Sequence, residues 1–547
     1  MYFSKQIKVM ALAGDSRGSF SGKIGFILAA AGSAVGLGNI WRFPYIAGQN
    51  GGAAFVLIYI LSIVLIALPL LMNEIGFGRY TRRNPVDAFG VVKPGTLWRL
   101  VGYISILACF VVLSYYAVIA GWTLYYFWET LIGKEIVFAE FASDPLKAGI
   151  PFVIFMIATI LIVQGGVQGG IERASRIMMP ILFVLLVLVL IRSVTLPGAE
   201  GGLEFFLSPD FEEITPKTFL LALGQAFFSM SVGWGLMVTY GSYLPKNISI
   251  PNSSSWIAVM DTGVALLGGL VVFPAVFAFG LSPSAGPSLT FETLPEVFKQ
   301  MDMGNIVGAA FFFLLSLAAL TSSISMLEVP VSFLVDRKVM KRGVAAWVVG
   351  LAALIVGIPS LLSYGGYEAF TKLIKQQKEI IVQQEVVVRL DDFVHGESYI
   401  VEGEPETGEW IVKDHALLKP KVILIDPETK ETIGRIELVP GDIVVVRDGE
   451  IVEAGLPVAF RETYMSFFDI VDLYFGTMAI IVFALLLTIF VGWIWNPLKL
   501  VEEISIPAKW FTEPVWFGMK PSTLWLVVIR FLAPLAIILM LIFQIGE

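Results

Sequence analysis

The chain has 547 residues, 56% of them hydrophobic and only 15% charged, whereas a soluble globular domain carries about 25% charged residues. That composition excludes an ordinary soluble protein, a disordered chain and a collagen, and a lone cysteine, Cys109, excludes an internal disulfide or a cysteine metal cluster. The net charge of −8 resides in residues 364–464, with 11 Lys and Arg against 20 Asp and Glu, so the rest is near neutral and shows no basic stretch fit for a nucleic acid.

The first twenty residues carry Lys5, Lys8 and Arg17 but no apolar core with a small-residue cleavage site, which reads as a cytoplasmic tail rather than a signal peptide. Apolar segments then fall at about 21–47, 53–78, 99–128, 150–164, 176–192, 218–243, 256–281, 304–335, 343–362, 467–494 and 521–544. Numbered 1 to 11, they predict an all-α membrane protein with eleven crossings. With the sides alternating, 19 Lys and Arg fall in the tail and loops of the starting side and 5 in the short loops of the other. The excess predicts a cytoplasmic N-terminus in the plasma membrane, with the C-terminus and the insertion outside.

Three regions follow: residues 1–362 with segments 1–9, an insertion at 363–466, and residues 467–547 with segments 10 and 11. The insertion alternates β-branched runs with charge, as in EVVVRL, EWIVK, KVILID and DIVVVRDGEIVEAG, and Asp448-Gly449 is a turn dipeptide between two such runs. A small β-rich extracellular domain is expected. Both histidines, His395 and His415, lie in it with no further ligand spacing, so they read as solvated surface residues.

Segment 1 is interrupted near its middle by Ala31-Gly-Ser-Ala-Val-Gly-Leu-Gly-Asn39, and segment 6 by Ser229-Met-Ser-Val-Gly-Trp-Gly235. Glycines weaken a helix by about 1 kcal/mol each relative to alanine. Bare backbone at membrane depth is tolerated only where it is buried in protein or lines a cavity. The breaks are five segments apart, and an odd number of crossings per repeat inverts the second repeat, the arrangement of a transport site. Close helix packing through small residues is the competing reading. Half-helix N-termini suit an anionic group, while carbonyls and hydroxyls suit a hard cation; Thr321-Ser322-Ser323 adds hydroxyls inside segment 8.

GSAVGLGNIWRFPY in segment 1, NEIGFGRY after segment 2, GQAFFSMSVGWG in segment 6 and LTSS in segment 8 resemble the neurotransmitter:sodium symporters, most of all the prokaryotic amino-acid members such as the bacterial leucine transporter. The resemblance implies the leucine-transporter fold: two inverted five-helix repeats, the first at about 21–192 and the second starting at about 218, plus one extra helix. It implies one sodium ion held by carbonyls of Gly32, Val35 and Ala318 and hydroxyls of Thr321 and Ser322. A second would be held by Ala34, Asn39, Ser229 and the substrate carboxylate. That carboxylate would meet amides around Leu37 and Gly38 and the Tyr116 hydroxyl, and carbonyls near Ala34, Phe228 and Ser231 would take the ammonium. Val112, Phe228, Trp234, Ser322 and Met326 would line the side-chain pocket.

Gly36 stands where amine-carrying members have an aspartate, which favours an amino acid over an amine, neutral and with a hydrophobic side chain. Trp234 stands where a smaller apolar residue is usual. In segment 7 the expected sodium-binding asparagine is missing and Asp261 lies beside that point; it would join the second ion site and replace chloride as the negative charge, so no chloride requirement is expected, and a proton could return on the empty carrier. A helix-start cap is the alternative role for Asp261. The resemblance also implies gate pairs, Arg42 with Asp472 outside and Arg17 with Asp336 inside, with Ser242, Tyr243 and Glu328 in the inner network and Glu74 bracing the amides of segment 6. The expectation is therefore a sodium-coupled symporter, with an amino-acid sensor on the same fold as the alternative; an enzyme is disfavoured because no two acids share a helical face at catalytic spacing. The oligomeric state is not legible.

Overall fold

A computed structural model describes residues 18–211, 214–281, 289–382, 384–391, 401–404, 409–412, 420–427, 429–439, 441–515 and 518–546. The chain divides into two compact units, Met1–Gly366 with Ile470–Glu547, and Tyr367–Asp469. Arg17, His395 and His415 lie outside the described residues.

In the first unit, nine helices among the described residues are long and apolar enough to cross a membrane, or ten if one bent pair counts as a single crossing. The bent pair is segment 1, Lys23–Ala34 with Gly38–Gln49, its halves at 50°. The nine are segments 2 (Ala53–Thr81), 3 (Arg99–Leu131), 4 (Pro145–Gln164), 5 (Val167–Val194), 7 (Ile250–Ala278), 8 (Gly304–Asp336), 9 (Arg342–Leu362), 10 (Phe467–Ile494) and 11 (Pro521–Ile545). Segment 6 forms two shorter helices, Pro216–Ser229 and Leu236–Ser242.

Helix starts follow cap chemistry more closely than hydropathy. Segment 4 begins at Pro145, five residues before its apolar run, because the Asp144 carboxylate accepts from the amides of Leu146 and Lys147 and proline needs no amide partner at a first helical position. Thr215 caps the first half of segment 6 reciprocally with Thr218, and Ser249 caps segment 7. Segments 3 and 8 are 33 residues each, about 50 Å at the α-helical rise. Their small and hydroxylated residues Ser114, Thr123, Ser316 and Ser323 are buried, whereas Leu57, Leu61, Val64 and Leu65 of segment 2 are exposed, the pattern of a face toward lipid.

The second unit consists of strands in the order β1-β9-β7-β4-β3 and β6-β5-β2-β8. The strands are β1 Ile374–Ile381, β2 Val386–Asp391, β3 Val401–Glu404, β4 Glu409–Val412, β5 Lys421–Ile425, β6 Thr432–Glu437, β7 Ile443–Val444, β8 Ile451–Val452 and β9 Pro457–Met465. A valine-rich core that includes Val386, Val388, Val422, Val444, Val452 and Val458 fills it. The Asp448-Gly449 turn does not close a hairpin. Its flanking strands β7 and β8 belong to different sheets, and the turn is tied across to β2 by Leu390 N–H donating to Asp448 and Gly449 N–H to Val388 O, both at 2.8 Å.

Candidate functional site

The first half of segment 1 ends at Ala34 because Val35 adopts an extended conformation (ψ 100°); the helix resumes as a π-turn over Gly38–Arg42. Two of its glycines are required by close approach. A Cβ on Gly36 would lie 2.5 Å from Ser322 Oγ and 3.3 Å from the Tyr116 hydroxyl, and one on Gly38 would lie 2.7 Å from the Phe228 ring. The gap faces segment 8. Thr321 Oγ1 donates to Ala318 O at 2.9 Å and lies 3.5 Å from Val35 O; Ser322 Oγ lies 3.3 Å from Ala318 O and 3.2 Å from Ser33 O. Gly32 packs against Thr321, whose Cβ and Cγ2 would be 3.2 and 3.3 Å from an added Cβ. The oxygens assigned to the first sodium are therefore adjacent, neutral and buried, and the contact to Val35 O is too long to satisfy that carbonyl. Carbonyl and hydroxyl oxygens are a donor set that suits a hard cation.

One turn further on, Asn39, Ser229 and Asp261 meet. Asn39 Nδ2 donates to Ser229 Oγ at 2.9 Å, to Asp261 Oδ1 at 2.7 Å and to Asp261 O at 3.1 Å; Ser229 Oγ donates to Asp261 Oδ2 at 2.7 Å. Asn39 Oδ1 accepts from the Gly36 amide at 3.1 Å. The Tyr59 hydroxyl of segment 2, absent from the sequence reading, donates to Ser229 at 2.9 Å. Asp261 is fully buried well inside a helix that Ser249 caps, which removes the cap reading. Asn39 has its nitrogen, not its oxygen, toward the carboxylate, so a cation bound by the Asn39 oxygen requires that amide to turn over.

Segment 6 breaks over Met230–Gly235, with left-handed φ at Ser231 (52°), Gly233 (89°) and Gly235 (70°). A Cβ on Gly233 would lie 2.6 Å from Ile480 Cγ2 and 2.7 Å from Ile480 O. The Gly233 amide, exposed by the break, donates to Glu74 Oε1 at 2.6 Å. The Trp234 carbonyl takes Ser105 Oγ at 2.6 Å and Cys109 Sγ at 3.3 Å. Cys109, apolar filler by its sequence context, is thus a donor to the broken helix. Ser231 Oγ donates to Ser33 O at 2.9 Å and joins the two breaks.

Between the breaks lies a cavity of about 20 Å³, lined by Ser33, Ala34, Gly36, Leu37, Gly38, Tyr116, Phe228, Ser231, Trp234, Leu236, Ser322 and Met326. The Leu37 amide points at the Tyr116 hydroxyl from 3.5 Å. Val112 is buried one turn before Tyr116 and is not among the residues lining this cavity. Leu236 and Ser33 were not singled out in the sequence, because a break in a helix does not reveal which neighbours turn inward.

The expected gate residues sit in hydrogen-bond networks at two levels of the first unit. Arg42 donates to Gln225 at 2.9 Å and its guanidinium covers the Phe228 ring at 4.8 Å; Asp472 accepts from Tyr115 at 2.6 Å, and Tyr115 feels the charges of both. Asp336 accepts from the Asn84 amide and side chain at 3.0 and 2.8 Å. Glu328, fully buried, accepts from Tyr243 at 2.6 Å and from both terminal nitrogens of Arg342 at 2.7 Å. Arg342 is the partner the sequence did not point to, because it opens segment 9 and meets Glu328 only across the fold. Ser242 Oγ turns back to Thr239 O at 2.6 Å, and the Phe20 amide donates to Tyr243 O at 3.2 Å.

The model of the sodium:neurotransmitter symporter family matches residues 17–140 and 143–390. The chain belongs to that family. This transporter is 46% identical over 355 residues to an uncharacterized sodium-dependent transporter of Bacillus subtilis, YhdH, covering 63% of this chain and 79% of the relative. It is 35% identical over 373 residues to an uncharacterized sodium-dependent transporter of Haemophilus influenzae, covering 64% and 82%. Among solved structures it is similar to MhsT crystallised in complex with L-phenylalanine, with 34% identity, 96% of this chain and 99% of that chain covered and a TM-score of 0.72. It is thus a multi-pass membrane protein of a sodium-dependent transporter family, built like a known transporter.

Proposed function

We propose that this transporter is a symporter that couples the uptake of a neutral amino acid to the inward sodium gradient by alternating access around the cavity between the two breaks. The observation that carries this reading is the convergence of neutral oxygens from segments 1 and 8 with the Asn39–Ser229–Asp261 cluster on opposite sides of one buried gap. In this reading Gly32, Val35, Ala318, Thr321 and Ser322 hold one sodium ion. Ala34, Asn39, Ser229 and Asp261 hold a second, together with the substrate carboxylate. Cation and carboxylate neutralise each other where the dielectric is low, so each raises the other's affinity. Tyr116 and the amides of Leu37 and Gly38 receive the carboxylate. Asp261 supplies the fixed negative charge, and no chloride is needed.

In the same reading segment 6 is an eleventh crossing, segments 1–5 and 6–10 are inverted repeats, and the N-terminus is cytoplasmic, with Tyr367–Asp469 and the C-terminus outside. Arg42, Gln225, Tyr115 and Asp472 close the outer path. Glu328, Tyr243 and Arg342 close the inner one with Asp336 and Arg17. Counterflow in proteoliposomes tests the proposal: preloaded amino acid should exchange for labelled amino acid in sodium but not in choline, and equally in chloride or gluconate. Binding without exchange would mark a sensor and end the transport reading.

A further inference from the structure

Trp234 is 2% exposed, lines the central cavity, and its indole Nε1 has no hydrogen-bond partner among the described residues; the Ser33 hydroxyl, also lining the cavity and buried, has none either. Buried donors are paired in more than about nine of ten cases, with protein or with water. From these two groups we propose that the cavity selects a neutral amino acid with a short side chain that carries a hydrogen-bond acceptor, a hydroxyl or an amide oxygen, received by the Trp234 indole N–H. This deepens the amino-acid reading above and replaces the hydrophobic side chain expected from the sequence.

The indole is held in place by its backbone. The Trp234 carbonyl is fixed by Ser105 and Cys109 of segment 3, and the glycines on either side turn the chain with positive φ. Cys109 precedes Tyr116 by seven residues on the same helix, a separation of about 10 Å along its axis. In the proposed reading, a zwitterion whose carboxylate meets Tyr116 and the Leu37 amide has Trp234 among the cavity walls left for its side chain. The hydroxyls of Ser231 and Ser322, which also line the cavity, are engaged with backbone carbonyls, and Phe228, Leu236 and Met326 are apolar. At about 20 Å³ the cavity has little room beyond what these bulky residues leave, roughly one water molecule, which favours serine, threonine or asparagine over leucine or phenylalanine.

The test is sodium-dependent binding to the purified full-length chain, with each polar amino acid set against its apolar isostere: serine against 2-aminobutyrate, threonine against valine, asparagine against leucine. At least one polar member is expected to bind ten-fold or more tightly than its isostere, since a site built for a hydroxyl rejects the analogue lacking it. Trp234→Phe should abolish that preference while leaving binding sodium-dependent. Isosteres that bind as well as or better than their polar partners overturn the proposal, and so does a preference that survives Trp234→Phe. If that variant does not fold, the wild-type series decides alone. A single trapped water satisfying the indole would give a flat series. Sodium-dependent binding of apolar amino acids alone would overturn this inference and leave the symport reading standing, whereas no sodium-dependent binding of any amino acid would remove both.

Discussion

The two broken helices solve the same problem in opposite ways. In segment 6 the exposed backbone is taken up by the protein itself: Glu74 receives the Gly233 amide, and Ser105 and Cys109 cover the Trp234 carbonyl. In segment 1 the partners are neutral groups: Ser231 and Ser322 reach Ser33 O, Gln225 donates to Gly38 O, the Asn39 oxygen accepts from the Gly36 amide, and Thr321 lies 3.5 Å from Val35 O. One break is braced by a buried carboxylate, the other by neutral side chains. In the proposed reading, the charged brace fixes the half that carries Trp234, while the neutral oxygens around the other break are free of a competing charge and suit a hard cation.

Four experiments separate the two roles. Glu74→Ala should have the largest effect, because it strands the buried Gly233 amide at about 1–3 kcal/mol and empties the space of a buried side chain. A lower unfolding midpoint with loss of all substrate binding is expected, and a midpoint equal to wild type would show that the brace is dispensable. Asp261→Ser should leave the fold intact but make uptake depend on chloride, since it removes the buried negative charge beside Asn39 and Ser229. Uptake that stays chloride-independent would show that this charge is not what replaces the anion.

Thr321→Ala should raise the sodium concentration for half-maximal binding about ten-fold, the effect of losing roughly 1.4 kcal/mol at one oxygen, with little change in thermal stability, whereas Thr321→Ser should bind sodium as wild type does. Equal loss in both variants would mean that the hydroxyl packs rather than ligates. The smallest effect is expected away from both breaks. Burial alone would raise the Asp87 carboxyl, but hydrogen bonds from Arg337 and Asn84 and the nearby arginine charges outweigh it and hold it below the usual carboxylate range. That pair therefore stabilises the fold above the ordinary carboxylate value of about 3.9 and is lost as pH falls through the lowered one. Asp87→Asn should cost at most about 1 kcal/mol, seen in thermal unfolding at pH 7 and shrinking as the pH is taken below the ordinary carboxylate value, with sodium affinity unchanged.

Much of the site was legible because membrane depth makes the reading of polar residues sparse. A glycine-rich interruption, an acid such as Asp261 or a run of hydroxyls such as Thr321-Ser322 stands out against an apolar background, and each lies at the gap. Residues whose role depends on a partner were not legible. Tyr59, Arg342 and Leu236 read as ordinary members of their helices, and the bonds from Arg42 to Gln225 and from Tyr115 to Asp472 appear only in the fold. The Asp448-Gly449 turn shows the same limit in the second unit, where the dipeptide fixes a bend but not which sheet each flanking strand joins.

The sequence by itself determined that the chain crosses a membrane, where its helices break and which atoms are exposed by the breaks, because hydropathy and glycine act on each stretch of backbone locally. Only the tertiary structure decided which of those atoms are claimed by other helices and which are left facing the cavity. That division depends on segments 2, 3, 7 and 8 arriving beside the gaps from tens to hundreds of residues away, and a hydrogen bond is settled by distance in space, which no local pattern encodes.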